Sequence, residues 1–370
     1  MSKKAVNKAS RAYKRRRKRR FLFTIELIVL LALVGGLFVY AQIDSKLDKL
    51  NTDDLDMNNV QFNDEVIQSE HLQGYMNIAL FGVDSREGIE DEATNSDTII
   101  IASINNDTKE VRLVSLYRDT YLKIGDDTYK KANAAYTAGG PEQAISMLNT
   151  NLDLDISQYV TVDFNAMITA IDLLGGLEIT VTEEEAVHLN NYCIGLEEAT
   201  GVEFEEIPGE GTYNMTGIQA TAYCRIRYTA GNDYKRTERQ REVIEKMVEK
   251  AKSSNLTTLN KIVDQVFPMV KTNISKNDII SMGTSMLSYS IGDQAGFPFE
   301  KTTDMIGKQD CVIPITLESN VIQLHEFLFA GEAYTPSATV VERSDYIINE
   351  TGYTLEESDD SADEEESSEY

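Results

Sequence analysis

The longest apolar segment of the chain is residues 21–42, FLFTIELIVLLALVGGLFVYAQ, in which Glu26 is the only charged residue. A helix of this length spans about 33 Å, enough to cross a hydrocarbon core of about 30 Å. Residues 1–20 carry eleven Lys or Arg and no acidic residue, and such a flank stays in the cytoplasm. The pattern predicts a single-pass protein of the cell membrane, with a cytoplasmic basic segment at 1–20, a transmembrane helix at 21–42 and an extracytoplasmic body. A cleaved signal peptide is disfavoured, because the segment exceeds the usual length of about 7 to 15 residues and no Ala-x-Ala site follows.

Three strand patterns open the body. Met76–Val83 and Thr98–Ile104 are nearly continuous apolar runs typical of buried strands, and Val111–Leu116 alternates enough to form a third strand. The turn residues 105–107 separate the second run from the third. We therefore expect these strands to be neighbours in one sheet.

Strand and helix patterns alternate through the rest of the body. Tyr159–Val162, a helix over Phe164–Leu174 and Leu177–Val181 form a strand–helix–strand sequence, which favours parallel pairing with a right-handed crossover. The other predictions are a helix from Pro141, a surface loop at 183–210, a short helix at 216–222, a strand at 223–228, a long helix at 235–251, further helix at 256–290, and a strand and helix at 310–330. Together they predict an α/β fold with a mixed sheet sandwiched by helices.

Composition changes on both sides of this body. Residues 43–73 carry irregularly spaced apolar residues among acids and amides, which is typical of an extracellular stalk. Residues 336–370 are predicted to be a largely disordered acidic tail, because 356–370 hold nine acids and no base. The folded domain is expected to span 74–335.

Charge and residue counts exclude several functions. The net charge is −26 despite the basic N-terminus, and an acidic body does not suit nucleic acid as the main partner. Three cysteines, Cys193, Cys224 and Cys311, are too few for a disulfide scaffold and are expected to be buried apolar residues. The three histidines are far apart in sequence, which argues against a Ser-His-Asp or Cys-His enzyme.

Two carboxylates mark the ends of adjoining predicted strands. Asp84 follows the first strand, and Asp97 enters the second. Such a pair can hold one divalent cation, Mg²⁺ or alternatively Mn²⁺, with phosphate oxygens and water as the other ligands. Asp at a strand end also commonly forms a turn, so the pair alone leaves both interpretations open.

Arginines recur in the same segments and in two later ones. Arg225 and Arg227 are expected to lie on one face of the predicted strand, and Arg236 and Gln240 on one face of the long helix, whose N-terminus also attracts anions. A solvated basic helix face capped by Asp233 is the alternative for the helix. In an acidic body, the clustered arginines predict a pyrophosphate pocket, since guanidinium groups bind phosphate oxygens bidentately. The arginines of this prediction are Arg86, Arg118, Arg225, Arg227 and Arg236.

These segments closely resemble the LytR-CpsA-Psr family of cell-wall enzymes. The motifs that carry the resemblance are, in order, FGVDSR, NSDTIIIASIN, VSLYRDTYLKI, KANAAYTAGG, DLLGGLEITV, NMTGIQATAYCRIRY and DYKRTERQREV. They run from about residue 75 to 255, and the similarity weakens through 335. The resemblance implies an α-β-α sandwich with a central mixed sheet. It also implies a phosphotransferase that moves an anionic glycopolymer, of the teichoic acid or capsular polysaccharide type, from a polyprenyl-pyrophosphate carrier to a peptidoglycan sugar hydroxyl.

The resemblance also assigns expected roles to residues. Asp84 and Asp97 match the family's Mg²⁺-binding aspartates. The residues that match its pyrophosphate-binding set are Arg86, Arg118, Arg225, Arg227, Arg236 and Gln240. Arg118, Arg225 and Arg227 are expected to be catalytic, together with Asp119, which either orients or deprotonates the acceptor hydroxyl or forms a structural salt bridge. The apolar faces of 164–174 and 243–247 are candidates to line a tunnel for the lipid.

This chain departs from the family pattern at two positions. Asn95 stands where the family commonly has Arg, and Tyr117 stands where it commonly has Pro. Two other functions therefore remain open, a non-catalytic wall-polymer-binding or regulatory membrane protein and a lipid pyrophosphatase. The expected partners are the polyprenyl-pyrophosphate-linked glycopolymer, peptidoglycan and the cell membrane, with no nucleic acid.

Overall fold

Strands and helices alternate through the part of the chain that the computed structural model describes, namely residues 51–52, 55–67, 71–84, 95–227, 229, 232–329 and 333–355. The strands are β1 (Asn51–Thr52), β2 (Tyr75–Val83), β3 (Ser96–Asn105), β4 (Glu110–Leu116), β5 (Tyr121–Lys123), β6 (Tyr129–Lys131), β7 (Gln158–Val162), β8 (Leu177–Val181), β9 (Gly211–Met215), β10 (Lys271–Thr272), β11 (Ser290–Phe297), β12 (Lys301–Ile306) and β13 (Gln309–Pro314). The helices are α1 (Asp64–Ile67), α2 (Ala134–Leu152), α3 (Phe164–Leu173), α4 (Glu183–Thr200), α5 (Gly217–Tyr223), α6 (Asn232–Ser253), α7 (Leu256–Gln265), α8 (Lys276–Thr284), α9 (Leu317–Leu328) and α10 (Ala338–Thr351).

The main sheet has seven strands in the order β1-β10-β7-β2-β3-β4-β11. It is mixed, because β2 pairs antiparallel with β3 and parallel with β7. The three strands expected to be neighbours do lie side by side, as β2, β3 and β4. The central strand β3 is buried over most of its length, as a strand covered on both faces must be.

Helices cover both faces of this sheet. Successive residues of a strand point to opposite faces, and on β3 Ile99 and Ile101 join the core beneath α2, α9 and α10, whereas Ile100 and Ala102 join a second core. Residues of α6 and α8 pack against that second core. The α-β-α sandwich is therefore confirmed.

A smaller unit packs beside the sandwich. Strands β8 and β9 form a separate antiparallel pair, and α3, α4 and α5 bury their apolar residues around it. Helix α5 approaches α3 so closely at Gly217 that a Cβ there would lie 2.2 Å from the carbonyl oxygen of Ile168. Only glycine allows this contact, which fixes the start of α5 against the middle of α3.

Three secondary-structure predictions were wrong within this unit. Strand β8 does not pair with β7, because Gly175 and Gly176 adopt φ values of 86° and 83° that turn the chain directly into the separate β8–β9 sheet. The loop predicted at 183–210 is confined to 201–210, since residues 183–200 form α4, which begins at a capping box between Thr182 and Glu185. Residues 223–227, the described part of the strand predicted at 223–228, are not a strand, because α5 ends at Tyr223 and a turn follows it.

The domain boundaries also differ from those predicted. The described part of the expected stalk is packed, with Val60, Val66 and Leu72 buried in the main core. The acidic tail does not start at 336, because α10 buries Val340 and Ile347 in the same core. The apolar side chains of both segments have partners in the sandwich that local composition does not reveal.

The predicted membrane helix at 21–42, the basic residues 1–20 and the residues 356–370 of the tail lie outside the described ranges. Within those ranges, no helix combines the length and the apolar composition that crossing a membrane requires. The membrane anchor therefore stays a prediction.

A buried histidine lies between α9 and the end of α2. The His325 side chain is fully buried, its Nε2 atom lies 2.9 Å from the Leu152 carbonyl oxygen, and its ring stacks on Tyr334 with centroids 3.6 Å apart. Burial lowers the pKa of His325 to about 3; the contact with the Leu152 carbonyl opposes this shift, and His71 adds to it. The folded protein therefore keeps this imidazole neutral.

We predict that this histidine destabilises the fold in acid. Between about pH 6.5 and 3 the unfolded chain binds a proton at His325 that the folded chain does not, so this contribution to stability falls as the pH falls, by about 1.4 kcal/mol per pH unit. The free energy of unfolding of His325→Phe and of the parent, measured by urea unfolding from pH 7 to 4, tests this pH dependence. The variant's stability should fall less steeply with acidification, and parallel curves would contradict the assignment.

Candidate active site

The two predicted metal-binding aspartates lie at adjoining strand ends. Val83 pairs with Ser96 and Gly82 with Thr98, so the register shifts by one residue and Asp97 has no partner residue on β2. A bulge of this kind redirects a side chain, and Asp97 lines a cavity between the sheet and the helices. Asp84 follows β2 directly, beside this bulge.

Each of these carboxylates faces an arginine. Arg118 Nη1 lies 2.5 Å from Asp97 Oδ1, and Arg225 Nη2 lies 3.8 Å from Asp84 Oδ2. The Nε atom of Arg118 is buried and makes no hydrogen bond. The guanidinium groups therefore keep donors that the two aspartates do not satisfy.

Arg225 and Arg227 reach the same cavity from a non-helical segment after α5. The predicted strand was wrong here, but Ile226 between them is buried as expected. The Arg225 guanidinium lies over the Phe164 ring, 4.6 Å from its centroid, which leaves the edge of the guanidinium group available for hydrogen bonds.

A buried arginine of α6 holds this segment in place. Arg239 donates from Nη1 to the Ile226 carbonyl oxygen at 3.0 Å and from Nη2 to Thr229 Oγ1 at 2.7 Å. Its Nε donates to Glu185 Oε1 on α4 at 3.0 Å. Because both partners of this ion pair are nearly buried, it rigidly connects α4, α6 and the segment that carries Arg225 and Arg227.

The start of α6 supplies the remaining cations. Asp233 Oδ2 lies 3.0 Å from Arg236 Nη2, and Asp233 Oδ1 lies 3.8 Å from Arg227 Nε. Arg236 is only 2% exposed, and its Nε makes no hydrogen bond. Burial lowers the pKa of Arg236 to about 10; Asp233 opposes the shift, while Arg227 and Arg118 add to it. Arg236 thus remains charged at neutral pH within an electropositive environment.

Gln240 lies one turn beyond Arg236 and also lines the cavity. Its side-chain amide is 3.4 Å from the Cys224 carbonyl oxygen. The predicted helix face with Arg236 and Gln240 is therefore buried against the cavity rather than solvated.

Asp97, Arg225, Arg227 and Arg236 line one end of the cavity, which we call its mouth. Beyond the mouth the cavity is apolar. It encloses about 470 Å³, and the residues that line its interior include Leu80, Ile100, Val160, Val162, Met167, Ala170, Ile244, Met247, Val248 and Val266. Along α6 the lining residues run from Arg236 to Val248, about 18 Å at 1.5 Å per residue. Of the segments predicted as candidates for a lipid tunnel, Phe164, Met167 and Met247 line this cavity, whereas Val243 faces the core of the smaller unit.

Asp119 lies next to the site but outside the cavity. Its carboxylate is 3.1 Å from Lys131 Nζ and 3.7 Å from Arg118 Nε. It does not belong to the cavity lining. This geometry fits the structural salt bridge that positions Arg118.

The two departures from the family pattern have distinct environments. Asn95 is exposed and accepts a hydrogen bond from Thr137 Oγ1 at 2.6 Å. Tyr117 is buried, and its ring meets Tyr234 of α6 edge-on with centroids 4.6 Å apart. Burial raises the pKa of Tyr117 to about 12. Tyr117 thereby attaches the Arg118 segment to the beginning of α6.

The sequence-predicted residues fall into three groups. Those that line the cavity are Asp97, Arg225, Arg227, Arg236 and Gln240. Asp84 and Arg118 contact members of that lining. Arg86 lies outside the described residues.

Sequence reasoning missed Arg239, Glu185 and Asp163, and it treated Asp233 only as a helix cap. Arg239 follows Arg236 by three residues and precedes the buried Val243 by four, so helical spacing on the buried face of α6 was the available signal. Asp163 lines the cavity and caps α3 by accepting from the Ala166 backbone N–H at 2.8 Å. Burial raises the pKa of Asp163.

Asp84 and Asp97 suit a hard divalent cation. Mg²⁺ binds proteins through one or two carboxylates and takes its other ligands from water and phosphate oxygens. Among the described residues, no group of three or more His, Cys, Asp or Glu side chains could hold a metal ion. A cation at the two aspartates would therefore take its remaining ligands from water and from substrate oxygens.

Comparison with known proteins places the chain in a family. Residues 37–306 match the LytR_cpsA_psr family, and the chain belongs to it. The chain is 31% identical over 268 residues, 70% of its length and 79% of the relative's, to the polyisoprenyl-teichoic acid–peptidoglycan teichoic acid transferase TagU of Enterococcus faecalis. It is 36% identical over 226 residues, 58% of its length and 53% of the relative's, to biofilm regulatory protein A of Streptococcus mutans.

Solved structures confirm the fold. A protein from Streptococcus agalactiae superimposes with a TM-score of 0.60 at 23% identity, covering 78% of this chain and 98% of that one. A structure described as TagT bound to LIIa-WTA gives a TM-score of 0.51 at 19% identity, covering 77% and 93%. At this level of identity the likeness extends to the fold alone.

We predict that Arg239 positions the cations of the site. Arg239→Lys keeps the charge beside Glu185 but cannot reach all three acceptors at once. Affinity for inorganic pyrophosphate, measured by titration calorimetry, should fall about tenfold, because the Arg225 and Arg227 segment loses its anchor.

The matched control for this prediction is Lys246→Met, which removes a half-buried ion pair with Glu242 on the same helix. This control should bind pyrophosphate like the parent, since Lys246 does not line the cavity. Unchanged affinity in Arg239→Lys would show that the segment holds its position without this contact.

Proposed function

We propose that this protein is a membrane-anchored, extracytoplasmic phosphotransferase that transfers an anionic glycopolymer from a polyprenyl-pyrophosphate carrier to a peptidoglycan sugar hydroxyl. The observation that carries the proposal is a single cavity with two chemically different ends. Its mouth is lined by Arg225, Arg227 and Arg236, and its interior is apolar. Few substrates other than a lipid pyrophosphate would use both ends at once.

Similarity supports the substrate class. The relatives named polyisoprenyl-teichoic acid–peptidoglycan teichoic acid transferase include proteins from Enterococcus faecalis and Halalkalibacterium halodurans, 31% and 30% identical to this chain. We therefore favour a teichoic acid type of polymer over a capsular polysaccharide. The apolar segment 21–42 would hold the protein in the membrane that contains the carrier.

The arginines would bind the pyrophosphate and stabilise its charge during transfer. An acceptor hydroxyl attacks the phosphorus that carries the polymer, a new oxygen–phosphorus bond forms, and the bond to the bridging oxygen breaks. Polyprenyl phosphate leaves with the electron pair, and the hydroxyl proton passes to a base. In phosphoryl transfer most of the catalytic effect comes from positioning and from stabilising this developing charge.

Two guanidinium groups would act at different oxygens. Arg236 is buried at the start of a helix, with an N–H donor that lacks a partner, so it suits a phosphate group drawn into the mouth. Arg118 contacts Asp97 through Nη1, and its Nε faces Asp119 at 3.7 Å, so its remaining guanidinium N–H groups suit a second oxygen beside the aspartates. Their separate positions would hold the two phosphates of one pyrophosphate.

A divalent cation would complete this charge balance. Asp84 and Asp97 would hold Mg²⁺ together with pyrophosphate oxygens, and the ion would neutralise negative charge on those oxygens. Each aspartate would then exchange part of its contact with Arg225 or Arg118 for the cation. The released guanidinium donors would become available to the phosphates.

We predict that Arg227→Ala and Arg118→Ala lower the transfer rate by about 10²- to 10³-fold, since each removes preorganised positive charge from the transition state. The assay incubates the full chain in detergent with a polyprenyl-pyrophosphate glycan, peptidoglycan oligomers and Mg²⁺, and measures glycan joined to peptidoglycan. Lys235→Ala removes an exposed cation next to Arg236 and should retain the parental rate.

The products of this assay distinguish the proposal from its alternatives. Free glycan phosphate would indicate a lipid pyrophosphatase, and bound but unchanged lipid would indicate a non-catalytic or regulatory protein. Parental transfer rates in both arginine variants would contradict the proposed role of the cavity mouth.

A second prediction tests the apolar end. Ala170→Phe places an aromatic ring in the cavity interior, so turnover of a long polyprenyl substrate should fall about tenfold while inorganic pyrophosphate still binds. Thr169→Phe, at the adjacent position of α3 outside the lining, is the control. Equal loss of pyrophosphate binding in Ala170→Phe would indicate general disruption and remove the support for a lipid-binding interior.

A further inference from the structure

Helix α7 is amphipathic, yet none of its residues is buried. Ile262 packs beside the deep end of the cavity, whereas Leu256, Leu259 and Val263 recur at i, i+3 and i+7 on an adjacent stripe. Within the described residues, no buried core cluster includes this stripe. Leu256 is 84% exposed, the highest value among the exposed large apolar residues.

The surroundings of this stripe are basic, although the chain as a whole is acidic. Residues 250–276 contain five lysines and a single acidic residue, Asp264, in a protein of net charge −26. Lys250 lies in the last turn of α6, only a few residues before Leu256, whereas Lys252 in the same turn donates from Nζ to the Tyr289 carbonyl oxygen at 2.7 Å. Exposed apolar residues next to lysines are the combination by which amphipathic helices bind anionic lipid surfaces.

Helix α7 lies next to the apolar end of the cavity. Helix α6 carries Arg236 at the polar mouth and Met247 at the deep apolar end. The same helix then continues to Ser253, and α7 begins three residues later. Val266, directly after α7, lines the cavity. The stripe, in which Leu256 is exposed and Leu259 and Val263 are half-buried, therefore adjoins the end of the cavity that is farthest from the arginines.

The geometry points to a docking surface for the anionic bilayer, formed by Lys250, Leu256, Leu259 and Val263, through which the lipid carrier enters the cavity between α3, α6 and α7. This inference rests on the proposed lipid substrate. The bilayer is the occupant that suits both the positive charge and the exposed leucine. With the stripe in the interface, the tail passes from bilayer to cavity without crossing water, and the pyrophosphate reaches the opposite end at Arg236.

Site-specific fluorescence tests the docking directly. The three native cysteines are buried, so a cysteine introduced as Leu256→Cys can be labelled selectively in the full chain reconstituted in vesicles. Met305→Cys is the matched control, because Met305 is 57% exposed on the hairpin that follows β11, at the other edge of the sheet from β10. The vesicles contain phosphatidylcholine with or without phosphatidylglycerol, and brominated lipids quench a probe that enters the interface.

The expected result is quenching of the Leu256 probe at least about threefold stronger than that of the Met305 probe, and stronger with phosphatidylglycerol present. Equal quenching at both positions would overturn the docking surface. Quenching that does not change with phosphatidylglycerol would overturn its assignment to an anionic lipid surface.

Turnover separates this inference from the proposed function. Leu256→Glu should lower transfer from a long polyprenyl carrier in vesicles about fivefold or more and leave transfer from a short-chain, water-soluble carrier within twofold of the parent, because the latter needs no entry from a bilayer. Met305→Glu should leave both rates within twofold. Equal loss with both carriers, or no loss with either, would contradict entry at α7. Failure of the parent with the short-chain carrier would instead count against the proposed function.

Discussion

The structure of the site depends on the burial of positive charge. Removing a guanidinium group from water costs free energy unless anions and hydrogen bonds replace the water. Arg236 is almost completely buried, and its only described carboxylate contact, Asp233, lies 3.8 Å from Arg227 as well. Asp233 therefore serves two guanidinium groups and cannot balance both. Binding of the proposed polyanionic substrate would relieve this imbalance, and it would explain why an acidic protein keeps arginines together.

Arginines that would repel one another need a rigid support. The support consists of Arg239 with Glu185, which fixes the segment after α5, and of Tyr117 with Tyr234, which attaches the Arg118 segment to α6. Both contacts join segments distant in sequence to one helix. Helix α6 is thus the common reference for the cations, because it carries Arg236 itself and positions the segments that carry the other three.

The sequence predicted the site better than it predicted the elements that build it. Asp84 and Asp97 could be found because they border apolar strand runs, and Arg236 and Gln240 because helical spacing relates them. Arg225 and Arg227 were assigned to a strand that does not form, yet both line the cavity, since residues two apart can face one ligand in several conformations. Glu185 was missed because its partner, Arg239, is 54 residues away, and no local pattern records such a pair. The error at β8 arose from assuming that strands flanking a helix share a sheet, whereas Gly175 and Gly176 direct the chain away from it.

The two ends of the cavity are connected by the same helix, and this has a consequence for substrate selection. From Arg236 to Met247 the distance along α6 is fixed at about 17 Å by the helical rise. A ligand that binds both ends must therefore place its negative charge at one end of an apolar chain of at least comparable length. Inorganic pyrophosphate satisfies only the mouth, and a neutral lipid satisfies only the interior, so neither obtains the full binding free energy. Selectivity for the proposed lipid pyrophosphate would then follow from the combination of the two ends, because the helix fixes the distance between them.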